Sequence, residues 1–303
     1  MKKVLFYTQN RWAYGSIHHG LCKELYKYNI YANLLDWTET YTSEEFELLN
    51  NTYDLFVTMP EAVLHLHYNY KVPLNKIIAV AHEQWDILLA KKEANMDFYP
   101  ELHSYAVISK ILVDKSLEIG ISIVPKIVSA GIHFDAFYQP IHNSLKNIGY
   151  GGESKSLNFF GVDRKRGHLV EKVISGIEDL NLVSHKFYNH LCMPAYYNKI
   201  DSLIMSSTEE AGGLPAMEAA AAGKLVIGTP VGYFEENGKH GGGVLVPLDE
   251  LGFLNETRKN LLYYKDNPKE YREKCEEIQH YAREHYDWSK TIHAWIELFE
   301  NAL

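Results

Sequence analysis

Long apolar runs are missing from this sequence. No uninterrupted stretch reaches the length needed to span a bilayer. The apolar part of Met1-Lys2-Lys3-Val4-Leu5-Phe6-Tyr7 is too short for a secretory signal. Cysteine is scarce: Cys22, Cys192 and Cys275 stand apart, with no paired spacing. That excludes a disulfide framework and a cysteine-based zinc site, and it suggests a reducing compartment. The expectation is a soluble, cytoplasmic protein. Basic residues are outnumbered, with 30 Lys and Arg against 39 Asp and Glu and a formal net charge of -9. No basic stripe is left for nucleic acid, although a local phosphate site stays compatible with that balance. His82-Glu83-Gln84-Trp85-Asp86 lacks the second histidine of a zinc-protease helix and follows a strand. No internal repeat is visible.

The 303 residues are enough for two domains with their own cores. Apolar runs and the segments between them read as alternating strands and helices. Val4–Thr8, Tyr31–Leu35, Asp54–Val57, Lys76–Val80, Tyr105–Ser109 and Lys126–Ser129 are strands, with helices from Ser16, Ser43 and Lys110. A strand, a glycine loop and a helix open a doubly wound α/β sheet. Asn143–Ser156 is polar and glycine-rich and reads as a linker. Leu157–Val162 is then expected to open a second α/β half.

The most informative stretch is Ser206–Glu236. Leu203-Ile204-Met205 is a short buried strand, and Gly212 and Gly213 lie in the loop after it. Pro215 sits where a helix starts, Met217–Ala222 is strongly helix-forming, and Gly223 ends that helix. Leu225-Val226-Ile227 is the next strand, stopped by Gly228-Thr229-Pro230. A helix start after a glycine loop favours a phosphate. Glu210 and Glu218 flank it, eight positions apart. Carboxylates repel a phosphate and are better suited to accept from hydroxyls. The residues alone describe a site for a nucleotide carrying a sugar, with solvated helix-start carboxylates as the alternative.

Glu210 to Glu218, with Gly213-Leu214-Pro215 between them and Ala219–Thr229 after them, resembles the two-glutamate signature of the retaining glycosyltransferases of family 4. The resemblance implies the GT-B fold: two doubly wound Rossmann-like α/β domains facing across a cleft. It divides the chain into 1–142, on the acceptor side, and 155–288, which binds the nucleotide sugar. A C-terminal helix, 289–303, is expected to pack back on the first domain. It implies that Glu210 contacts the transferred sugar, together with His82 after the fourth strand, and that Glu218 contacts the ribose. Gly15 and Gly161 are expected to let the backbone approach the donor, and Gly212, Gly213 and Leu214 to supply the helix start. Arg164-Lys165-Arg166-Gly167 would meet the diphosphate, with Arg166 in the place of the family's lysine. Three departures stand out: Val162 for an arginine, Ala211 in the Gly-Phe-Gly position, and His133 near the family's aspartate in the Gly131–Pro140 segment.

The activity implied is transfer of a hexose from a nucleotide diphosphate sugar to a hydroxyl of a glycan or other acceptor, with retention. GDP-mannose is slightly favoured over UDP-glucose, as a family preference that no residue carries. No cofactor and no metal are expected, since no two aspartates stand two apart as in the other major glycosyltransferase fold. A homodimer is compatible with the chain. The alternatives are a non-catalytic nucleotide-sugar-binding protein and a sugar-nucleotide 2-epimerase.

Overall fold

The computed structural model describes residues 1–10, 12–93, 97–151, 157, 161–184, 190–210 and 212–300. The chain forms two compact units, Met1–Gly131 with Trp288–Leu303, and Ile132–Asp287.

The first unit runs β1 (Lys2–Thr8), α1 (Trp12–Leu25), β2 (Ile30–Asp36), α2 (Ser43–Thr52), β3 (Leu55–Thr58), α3 (Pro60–Tyr70), β4 (Ile77–Ala81), α4 (Gln84–Glu93), β5 (Ser104–Val107), α5 (Lys110–Ile119) and β6 (Lys126–Ile127). Its strands form one parallel sheet in the order β2-β1-β3-β4-β5-β6. Parallel strands covered on both faces need apolar side chains throughout, and Ile77, Ile78, Ala79, Val80 and Ala81 of β4 are all buried.

The second unit runs α6 (Phe134–Phe137), β7 (Asn147–Tyr150), α7 (Gly167–Ile174), β8 (Asn181–Val183), α8 (Met193–Tyr197), β9 (Ser202–Met205), α9 (Leu214–Ala221), β10 (Leu225–Gly228), α10 (Tyr233–Lys239), β11 (Val244–Leu245), α11 (Glu250–Asp266) and α12 (Pro268–His285). Its sheet is parallel, in the order β11-β10-β9-β7-β8. Here the structure corrects the expected linker: Asn143–Ser156 contains β7, the strand between β8 and β9. Gly149 hides it, because a side chain there would collide with Ile200 Cδ1 and the Tyr196 hydroxyl at 2.5 and 2.7 Å. The expected strand at 157–162 is not formed among its described residues. Leu157 makes only an isolated antiparallel bridge with Asp163, and 158–160 lie outside the described residues. The second unit therefore begins at Ile132, not near 155.

The last helix, α13 (Trp288–Glu300), is built into the first unit. Trp295 Nε1 donates to Ser129 O at 2.9 Å, Lys2 Nζ donates to Phe299 O, and Phe299 meets Phe6 edge-on. Trp288 packs where Gly20 and Gly131 have no side chains. Among the described residues no helix is long and apolar enough to cross a membrane.

Candidate functional site

In an open parallel sheet, ligands bind beyond the carboxyl ends of the strands where the strand order reverses. In the second unit that place lies between β7 and β9, since the chain leaves β7 for β8 on one side and returns to β9 on the other. Two loops extend from it, the turn Asp163–Gly167 before α7 and the segment Ser206–Gly213 before α9. Arg164, Lys165, Arg166, Glu210, Gly212 and Gly213 lie in these two loops, Gly161 lies just before the first, and Leu214 and Glu218 follow in α9.

The loops are sewn together through their backbones. Thr208 N donates to Arg164 O at 2.8 Å, Ser206 Oγ to Lys165 O at 2.7 Å, and the Tyr150 hydroxyl to Lys165 O at 3.0 Å. Asp163 Oδ1 accepts from the N–H groups of Lys165 and Arg166 at 3.1 and 3.2 Å. That turn places Arg166 in the left-handed region, with φ 49°, at the N-cap of α7. Gly161, with φ 75°, has nothing within 4 Å of the place a Cβ would take, so conformation and not crowding calls for glycine there.

Arg166 is placed differently from expectation. Its Nε donates to Ser206 O at 2.6 Å, its Nη1 to Leu248 O at 2.8 Å, and the guanidinium lies 5.7 Å from the centroid of the Phe253 ring. It fastens the two loops and the segment before α11. Only Nη2, buried and without a hydrogen-bond partner, is left for a ligand, so a two-pronged grip on a phosphate is not available from this side chain.

Lys165 and Glu210 form an ion pair, and the Ser207 hydroxyl donates to the same carboxylate oxygen at 2.8 Å. Ser207 is itself held, since Thr229 Oγ1 donates to its carbonyl at 2.5 Å. Gly213 adopts φ 91° at the N-cap of α9, and Leu214 and Pro215 open the helix. Ala211 lies outside the described residues.

Glu218 is on α9, a helix whose small side chains let it sink against α12 and α6. Its side chain is buried, and Oε2 accepts from the Tyr197 hydroxyl at 2.8 Å. Burial pushes its carboxyl up to about 8, which one hydrogen bond does not offset. Tyr197 is packed, and it also holds the site's most buried carboxylate. Nothing local announces this contact between residues 21 positions apart.

Gly242 and Gly243 are explained by packing, and Gly241 by its φ of 104°. A side chain on Gly243 would meet Phe234 at 2.4 Å, and one on Gly242 would meet the Tyr286 hydroxyl at 2.8 Å.

In the first unit, His82 follows β4 at its carboxyl end. Asp86 Oδ2 accepts from the N–H groups of His82 and Glu83 at 2.7 and 2.8 Å, which fixes the turn into α4. The imidazole is buried between Tyr14 and His18, one helical turn apart on α1, with ring centroids 5.0 and 5.1 Å away. Neither nitrogen of His82 has a hydrogen-bond partner, and neither has one in His18. Burial pushes His82 down to about 3, so both rings are neutral at ordinary pH. A structural histidine of this burial would be hydrogen-bonded. Sequence reading missed His18, whose partner lies far along the chain.

Gly15 is not where the sequence suggested. It lies inside α1, whose start is at Trp12 instead of Ser16. The space a side chain would need is taken by Asn10 O at 2.5 Å, so the close approach at Gly15 is the chain's own backbone. Among the described residues no three His, Cys, Asp or Glu side chains converge as a metal site.

Residues 150–262 match the family described as Glycosyl transferases group 1. By sequence, no curated protein matches the chain. Among solved structures it is similar to Alr3699/HepE of Anabaena in complex with UDP-glucose, with a TM-score of 0.71, 14% identity and 99% of each chain covered. It is similar to the sucrose-phosphate synthase of Thermosynechococcus elongatus, with a TM-score of 0.69, 12% identity and 99% and 98% covered. A third is the lipopolysaccharide outer core galactosyltransferase WaaB, with a TM-score of 0.63, 10% identity and 98% and 99% covered.

Proposed function

We propose, for a chain that has the GT-B fold and whose residues 150–262 match the group 1 glycosyl transferases, that it transfers a sugar from a nucleotide diphosphate sugar to a hydroxyl acceptor. The observation that carries this reading is the meeting of Lys165, Glu210 and the start of α9 at the β7/β9 switch point, inside the family-matched segment. The diphosphate takes positive charge from Lys165, Arg164 and the remaining nitrogen of Arg166, together with the N-terminus of α9. Glu218 accepts from ribose hydroxyls and Glu210 from the hexose.

In this reading the bond between the anomeric carbon and the diphosphate oxygen breaks as the acceptor oxygen bonds the same face. The acceptor's proton passes to the leaving phosphate. The outcome is retention. The chain's own cations carry the leaving charge, and no metal is required.

A uridine donor is the better supported choice, because HepE, similar over 99% of its length, is solved with UDP-glucose. The GDP-mannose preference has no residue behind it. A binder without turnover is the second reading, favoured by the commitment of Arg166 to two carbonyls.

Calorimetric titration against UDP-glucose, UDP-N-acetylglucosamine, GDP-mannose, UDP and GDP, with and without divalent metal, tests the proposal. Micromolar binding of one nucleotide sugar without metal is the expected result. Binding of none of them sinks it. Release of nucleoside diphosphate on incubation with the selected donor separates the transferase from the binder.

A further inference from the structure

Lys165 and Glu210 belong to the donor site proposed above, yet in this structure they hold each other. Both side chains are largely withdrawn from water, 14% and 11% exposed. The backbones that carry them are anchored. Lys165 O accepts from Ser206 Oγ and the Tyr150 hydroxyl, while Ser207, which donates to Glu210 Oε1, is held by Thr229. Only the two side chains are free to exchange partners. An ion pair this buried is sensitive to losing one member, since the other is left as an uncompensated charge.

We propose that Glu210 is the resident counter-ion of Lys165, and that exchange of this carboxylate for the donor's diphosphate makes the site prefer the intact nucleotide sugar over the nucleoside diphosphate left after transfer. The inference rests on the donor reading of the same site. When a diphosphate takes Lys165, Glu210 loses its cation and gains an anion beside it. With a nucleotide sugar, the hexose hydroxyls replace the lost ammonium as donors to the carboxylate. With a nucleoside diphosphate there are no such hydroxyls. Ser207 is then the one described side-chain donor to Glu210, and the carboxylate pushes against the phosphate. Substrate is held and spent product is expelled by the same carboxylate.

The test is titration of the full chain with a matched pair, UDP-glucose with UDP or, if the panel selects it, GDP-mannose with GDP. In Glu210→Gln the repulsion is gone. The nucleoside diphosphate is expected to bind about ten-fold tighter, while the nucleotide sugar gains nothing. Ser207→Ala works in the opposite direction. It removes the donor that remains to Glu210, so the nucleoside diphosphate weakens more than the nucleotide sugar. This second variant keeps the charge and the fold, and it decides the matter if Glu210→Gln does not fold. Equal weakening of both ligands in either variant, or an unchanged ratio, overturns the exchange and leaves the donor reading standing. Failure of the parent chain to bind either pair overturns both.

Discussion

Nucleotide binding should depend on pH through Glu218. Its carboxyl is raised by burial to about 8 from an ordinary value of 4.5, with Tyr197 as a hydrogen-bond donor to one oxygen. If ribose hydroxyls donate to the ionised carboxylate, the group must lose its proton before or as the nucleotide binds. At pH 7 about one tenth of the free protein carries the carboxylate, and the apparent dissociation constant is about eleven-fold above its high-pH limit; at pH 6 the factor is about one hundred. A nucleotide sugar is the right probe, because its phosphodiester oxygens do not titrate in this range. Titration calorimetry in two buffers of different ionisation enthalpy should show nearly one proton released per ligand at pH about 7, falling toward none above pH about 9. Glu218→Gln should bind with no such slope. Affinity that is flat between pH about 6 and about 8 with no proton released refutes this role of Glu218, as does affinity that falls as pH rises, the sign expected for a protonated Glu218 that donates. The same shift makes a stability prediction. A raised carboxyl binds more protons folded than unfolded, so this contribution falls as pH rises from about 5 to about 8.

Lys224, fully buried 3.4 Å from His142 Nε2, is pushed down to about 8 by burial. The unfolded chain therefore holds its proton more tightly, and stability should rise between pH about 8 and about 10, an effect of about 3 kcal/mol that Lys224→Met should abolish in denaturant titrations compared across that range. His18→Phe removes two buried, unpaired nitrogens while keeping a ring against Phe6 and His82, and should raise stability by about 1 kcal/mol or more in melting experiments. Gly131→Ala would put a Cβ 2.5 Å from both the Trp288 ring and Thr291 Oγ1, and should lose about 1–3 kcal/mol in the same assay as α13 is forced outward.

Much of the architecture is legible in the sequence because parallel strands buried on both faces must be apolar runs. β1, β4, β9 and β10 announce themselves in this way, and Pro215 and Gly223 punctuate α9. β7 does not announce itself. Its Asn147-Ile148-Gly149-Tyr150 sits among polar residues, and its glycine is dictated by Ile200 and Tyr196, some fifty positions away. β8 is an edge strand with Asn181 and Leu182 exposed, and it carries little apolar signal. α11 starts at Glu250 behind Asp249, whose side chain accepts from Gly252 N at 2.8 Å. In the site, residue types were legible but partners were not. Glu210 and Lys165 have the character of ligand contacts in the sequence, whereas their pairing is a long-range fact. Arg166 stands out by its charge, whereas its role follows from Ser206 and Leu248 carbonyls that no local pattern specifies.

Because α13 belongs to the first unit, the two units differ in what synthesis order allows. The second unit is one continuous stretch and is complete as soon as Asp287 has emerged from the ribosome. The first unit, although translated earliest, must wait with Gly20, Phe6 and Ser129 uncovered until the final helix arrives to dock on them. The half made first is finished last, and a nascent chain halted before Trp288 exposes an apolar groove that chaperones would have to guard.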